Sequence, residues 1–166
     1  MRIVVVFPWP QGGLPEAEEA HRRALATAAA SPGTVVDFVQ IDRASMFSEP
    51  FSQQNTARVV EEMAQTIERA ARDTPDAIVV WGGLDPGVAL ARERVQVPVI
   101  GVAQATYAVA AQLGVRLGLV VYEPGIVDAI WAGARACGAE RSIASVRSID
   151  VPMPELTPRR DHVRAR

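Results

Sequence analysis

Three side chains could carry acid–base chemistry: Asp85, Tyr122 and Glu123. Asp85 follows the apolar run Ala77-Ile78-Val79-Val80-Trp81 and the turn Gly82-Gly83. Tyr122 and Glu123 close and follow a second such run, which begins at Arg116. Both runs have strand length and β-branched character. In open α/β sheets small ligands bind beyond the carboxyl ends of the strands. A carboxyl or phenol placed there can act as a general acid or base. Gly82-Gly83 bares the backbone there, so an anionic oxygen could be held. Pro8, Trp9 and Gln11 follow the first strand and join Trp81, Gly82 and Gly83 as substrate-binding candidates. The two tryptophans would give the site an apolar, aromatic lining, which suits a substrate larger than a free amino acid. Each choice has a plainer reading beside it. Asp85 and Glu123 are also good helix caps, and Trp9 and Trp81 can simply fill a core.

The elements around these residues alternate strand and helix. Arg2 to Phe7 reads as a first strand, apolar throughout. Pro15 starts a helix with Glu16, Glu18 and Glu19 in its first turn, where the positive helix end favours them, and the helix runs to about Ala30. His21 belongs to its solvated face. A second strand spans Thr34 to Ile41, and a long polar loop from Asp42 to Gln54 carries Met46, Phe47 and Phe51. Asn55 is read as the cap of a second helix with an apolar stripe of Val59, Val60, Met63, Ile67, Ala70 and Ala71. Asp85 and Pro86 are read as cap and first residue of a short helix, followed by a strand from Val97. A helix of small residues spans Val102 to Leu113, and Pro124 opens another whose stripe includes Ile126, Ile130, Ala134 and Cys137. Ser142 to Ile149 is the last strand. Such alternation argues an α/β protein with a parallel sheet. The expected division is a first lobe over 1–101, a connecting helix over 102–114, a partial second lobe over 115–152 and a mobile tail over 153–166.

Composition narrows the function. The chain has 166 residues and a net charge of −2, which does not attract nucleic acid or membrane. No apolar run reaches spanning length. One cysteine, Cys137, precludes an internal disulfide and suits the cytoplasm. All 17 basic residues are arginine. Without lysine there is no Schiff base and no lysine phosphate loop. Pro8 to Gly13 is not a dinucleotide fingerprint. Two histidines and one cysteine leave no usual zinc set. No cofactor and no metal are expected.

The segment DAIVVWGGLDPG with its following ARE, then VPVIGVAQA and ASVRSIDVP, resembles the hydantoin racemase branch of the aspartate/glutamate racemase superfamily from Asp76 to Pro152. The resemblance implies a Rossmann-like parallel sheet flanked by helices, an incomplete second Rossmann-like lobe, and an active site in the cleft between. It implies cofactor-independent proton transfer next to a carbonyl, with two cysteines on opposite faces of the substrate. The functional residues mostly do not carry over. Gly82 stands at the first cysteine position. Phe7, Trp9 and Pro10 replace the polar residues after the first strand, with Pro8 retained, and the threonines expected near Val121 and Tyr122 are absent. The strand-turn-helix carrying the second cysteine is expected to follow the point where this sequence ends. Cys137 lies on a helix stripe and does not substitute for it.

The expected function is therefore isomerase-like proton transfer on a small carbonyl or carboxylate substrate, without the two-cysteine mechanism. Two alternatives stand beside it: a binding or assembly protein that kept the scaffold, and a lyase- or cyclase-type enzyme of a biosynthetic pathway. A reduced second lobe exposes apolar edges, so a homo-oligomer through residues 115–150 is expected.

Overall fold

Strand β1 (Arg2–Phe7) is the hub of the larger sheet. Its side chains alternate between two apolar layers. Val4 and Val6 join one cluster, and Val5 and Phe7 join another on the opposite face. That is why the strand is apolar at every position from Ile3 onward. The computed structural model describes residues 1–43, 50–152 and 155. Along these the chain continues as α1 (Glu16–Ala29), β2 (Val35–Gln40), α2 (Gln53–Ala71), β3 (Ala77–Val80), α3 (Val88–Arg94) and β4 (Val99–Gly101). It then runs through α4 (Val102–Gln112), β5 (Leu117–Val121), α5 (Pro124–Ala136) and β6 (Ile143–Ser148). The first four strands form one parallel sheet in the order β2-β1-β3-β4, and β5 pairs in parallel with β6 in a second, small sheet. The α/β class and the parallel, helix-flanked sheet follow the sequence reading.

Helices cover the larger sheet unequally. On one face α2 presents Val59, Met63 and Ile67, each fully buried. Side chains of this kind contribute about 1.5–3 kcal/mol each on burial. Helix α1, on the other face, has no fully buried residue. Arg22 instead lies over the Trp9 ring at 5.3 Å, and Arg23 over Phe38 at 4.9 Å. Phe7 stacks on Trp9 and Phe38, with centroids 4.6 and 5.8 Å apart. His21 is exposed, as its helix position implied.

Two caps differ from the sequence reading. Helix α2 begins at Gln53, and Ser52 is its cap, accepting from the Asn55 amide at 3.1 Å. Asn55 lies inside the first turn. Asp85 does not cap α3, which starts at Val88 behind Gly87. Its carboxylate accepts from the Ala103 and Gln104 amides, both at 2.9 Å, and so caps α4. Local sequence favours the nearer helix, but the fold brings the start of α4 to the same place. Cys137 also departs from its expected core position: it is exposed at the end of α5, and its thiol bonds to the Gly133 carbonyl. Of the 42–54 loop, Met46 and Phe47 lie outside the described residues, as do all residues of the expected 153–166 tail except 155. Phe51 packs on the cluster beneath the second sheet.

At Gly101 the chain passes directly from β4 into α4. A Cβ there would overlap the Asp85 carboxylate. Gly101→Ala is expected to lower the unfolding free energy by about 1–3 kcal/mol, the usual range for overpacking a tight site. Gly133, inside α5, has open space around it. Gly133→Ala is expected to raise stability by about 0.5–1 kcal/mol. Urea titrations of the two variants test both signs.

Candidate active-site cleft

The carboxyl ends of β1, β3 and β5 converge on a cleft of about 410 Å³ between the two sheets. Pro8 and Trp9 enter from the end of β1, and Trp81, Gly82, Gly83 and Leu84 from the end of β3. Helix α4 contributes Val102, Ala103, Thr106 and Tyr107. Leu119 to Tyr122 and then Ile126 and Ile130 of α5 close the second side. Arg22 of α1 reaches the rim. The cleft is therefore mostly apolar, with a few polar groups at defined points, as small-molecule sites usually are.

Six of the sequence candidates meet there: Pro8, Trp9, Trp81, Gly82, Gly83 and Tyr122. Three do not line it. Gln11 is exposed in the loop beyond Pro10. Asp85 lies behind the cleft wall and holds α4. Glu123 is 7% exposed and accepts from the Phe51 amide at 2.7 Å, tying residues 50–52 to the start of α5. It stands at the α5 cap position without a side-chain cap bond. Tyr122 is positioned by its own carbonyl, which accepts from the Ser148 hydroxyl at 3.2 Å and the Val151 amide at 2.8 Å.

The glycine turn has a steric reason. A Cβ at Gly82 would lie 2.8 Å from the Pro86 ring and 3.5 Å from Pro8. The Asp85 amide closes the turn on the Gly82 carbonyl at 2.8 Å. No helix start lies at this turn to bind an anion. Helix α3 begins later, and the start of α4 is already filled by Asp85. Burial pushes the Asp85 carboxyl above its ordinary range, while the Ala103 and Gln104 amides and Arg92 pull it back.

Sequence reasoning missed Arg22 and Tyr107. Arg22 is the one ionised side chain among the described lining residues. It is paired with Glu18 at 2.8 Å. Its i,i+4 pairing reads as an ordinary solvated helix face. Tyr107 sits in a run of small helical residues that gives no chemical signal. It is 5% exposed and lines both the cleft and a smaller cavity behind it, where Asp85, Arg92 and Cys137 lie. Burial, then the charges of Asp85 and Cys137, push its phenol above the ordinary value of 10.0. Among the described residues no group of three or more metal-ligating side chains occurs.

Tyr107 and Tyr122 are the only tyrosines in the sequence. Absorbance at 295 nm therefore titrates cleft residues alone. One phenol is expected to ionise above 10.0, and Tyr107→Phe is expected to abolish that phase. The fold retains this proton more tightly than the unfolded chain does. Stability is accordingly expected to fall as pH rises past 10.0.

Comparison with known proteins places the chain in a family. The model of the Asp/Glu/hydantoin racemase family matches residues 16–166. A hydantoin racemase of Paenarthrobacter aurescens is 27% identical over 149 residues, covering 89% of this chain and 60% of that protein. A hydantoin racemase of Rhizobium meliloti is 35% identical over 100 residues, covering 60% of this chain and 42% of that protein. The allantoin racemase of Pseudomonas fluorescens shares the fold with a TM-score of 0.82 at 22% identity, over 98% of this chain and 66% of that one. The chain thus spans 60% or less of the length of the two hydantoin racemases it matches. From the family match over 16–166, the chain belongs to the Asp/Glu/hydantoin racemase family.

Proposed function

We propose that the chain binds a small carbonyl or carboxylate compound in this cleft and labilises the proton on the adjacent carbon, an isomerase-like reaction without a cofactor. The observation that carries the reading is the convergence of three strand ends on one apolar cleft in a racemase-family chain. The bare turn at Gly82-Gly83 lets a substrate approach the backbone at the end of β3. Trp81, Val121 and Ile126 favour a substrate with an apolar substituent. Tyr122 is the acid candidate that faces the cleft. Asp85 and Glu123 enter the proposal as the groups that fix α4 and residues 50–52. Water admitted to the open cleft takes the proton from carbon and returns one, so charge and atoms balance around an enolate.

One observation favours a second reading, a binding protein that kept the scaffold. Among the described lining residues there is no thiol and no carboxylate. The two readings separate in D₂O. Incubation with 5-substituted hydantoins, amino acids and arylmalonates, followed by NMR, is expected to show deuterium entering the α-carbon. This exchange is expected to survive Cys137→Ala. Ligand-induced shifts in the protein without deuterium uptake select the binding protein.

We further propose a cytoplasmic homo-oligomer that joins through residues 115–150 and uses neither nucleic acid nor membrane. No helix among the described residues is long and apolar enough to cross a membrane. Val115, Val120 and Ile149 are 49%, 72% and 51% exposed, and the sheet of β5 and β6 has two strands. A two-stranded sheet is marginal by itself. Sedimentation at micromolar concentration is expected to give at least a dimer, and Ile149→Arg is expected to dissociate it. A monodisperse wild-type monomer contradicts the proposal.

A further inference from the structure

We propose that the Tyr107 hydroxyl is the hydrogen-bond donor that holds the substrate's carbonyl oxygen in the cleft and stabilises the negative charge that develops on it. The inference rests on the proton-transfer reading and names the catalytic group that the reading lacks. Its basis is a count of donors. An enolate-forming site needs a fixed donor at the oxygen, supplied by a backbone amide, a hydroxyl or a cation.

Four other donors around α4 are committed. The Ala103 and Gln104 amides both go to Asp85. The Thr106 hydroxyl donates to the Val102 carbonyl at 2.7 Å. Arg22 is held by Glu18 at 2.8 Å. Tyr107 differs from these. The residue is 95% buried by its 5% exposure, yet its hydroxyl makes no hydrogen bond among the described residues. The open space beside its side chain is the cleft and the cavity behind it. The hydroxyl thus faces open space, where a ligand oxygen would give it an acceptor.

The ring is well fixed for this work. It packs in one cluster with Ile126, Ile130, Ala134 and Ile143. The donor is therefore oriented before substrate arrives and needs little reorganisation as charge develops. Burial and the neighbouring Asp85 charge keep the phenol protonated at neutral pH. A neutral phenol in an apolar site donates to an enolate oxygen without giving up its proton. The substrate class follows: a carbonyl flanked by an acidic C–H, with an apolar substituent on the side of Trp81. When water takes the α-proton, the C–H pair becomes the enolate double bond. The oxygen then carries the charge against the Tyr107 O–H. Reprotonation at carbon restores the carbonyl, with no redox change.

The test uses Tyr107→Phe in the full chain and 5-benzylhydantoin carrying ¹³C at the carbonyl next to its acidic carbon. Loss of the hydroxyl is expected to slow α-deuterium exchange on the order of 10²-fold, with KM changed less than about threefold. Infrared difference spectra give a readout independent of turnover. The bound carbonyl band is expected at lower frequency in the wild type and restored towards the free position in Tyr107→Phe. A chain with 3-fluorotyrosine at 107 is expected to move the band further down, and it retains the ring should the phenylalanine variant misfold. Binding with an unshifted band overturns this inference alone. A shifted band without exchange supports the donor and overturns the proton-transfer reading. No binding at all overturns both.

Discussion

The carboxylate of Asp85 is the joint on which the molecule depends. It belongs to the turn that ends β3, yet it caps the helix that leaves β4 for the second sheet. Two short bonds thereby tie the end of one strand to the start of α4, some eighteen residues along the chain. The backbone at Asp85 accepts a left-handed conformation, φ +49, to make the reach. Gly101 has no side chain because that carboxylate occupies the space. The next residues serve the same joint. The Pro86 ring closes over Gly82, and Gly87 lets α3 lie against α2. The Asp-Pro-Gly segment that carries the family resemblance is thus architectural here.

The cleft is what this architecture leaves open. With β1 and β3 side by side, their carboxyl ends present Trp9 and Trp81 on one wall. With α4 fixed by Asp85, Tyr107 faces the same space. The second sheet contributes Leu119 to Tyr122, and Glu123 binds the Phe51 amide across from the larger sheet's connection. Two buried or half-buried carboxylates therefore hold the frame, while the polar side chains among the described lining residues are hydroxyls, two indoles and one paired arginine.

Much of this was legible in the residues, and the failures have physical causes. β1 and β3 announce themselves because strands buried on both faces must be apolar at consecutive positions. The α2 stripe of Val59, Met63 and Ile67 follows the helical period because one face is sealed against the sheet. Asp85 misleads because a cap preference is local while the amides it serves arrive from another element. Cys137 misleads because the stripe of α5 is cut short: burial ends at Ala134, and the helix runs out of the core within the next turn. Tyr107 gives no signal because it stands among small helical residues whose pattern marks no chemistry.

The claim that the cleft is the site of small-molecule binding has a direct test in the three tryptophans. Trp9 and Trp81 line the cleft, and Trp131 does not. In ¹⁵N-labelled protein the three indole N–H signals can be followed during addition of 5-benzylhydantoin. The account predicts that Trp9 and Trp81 shift together in a saturable manner while Trp131 stays in place. A saturable shift confined to Trp131, or three unmoved signals at saturating ligand, contradicts it.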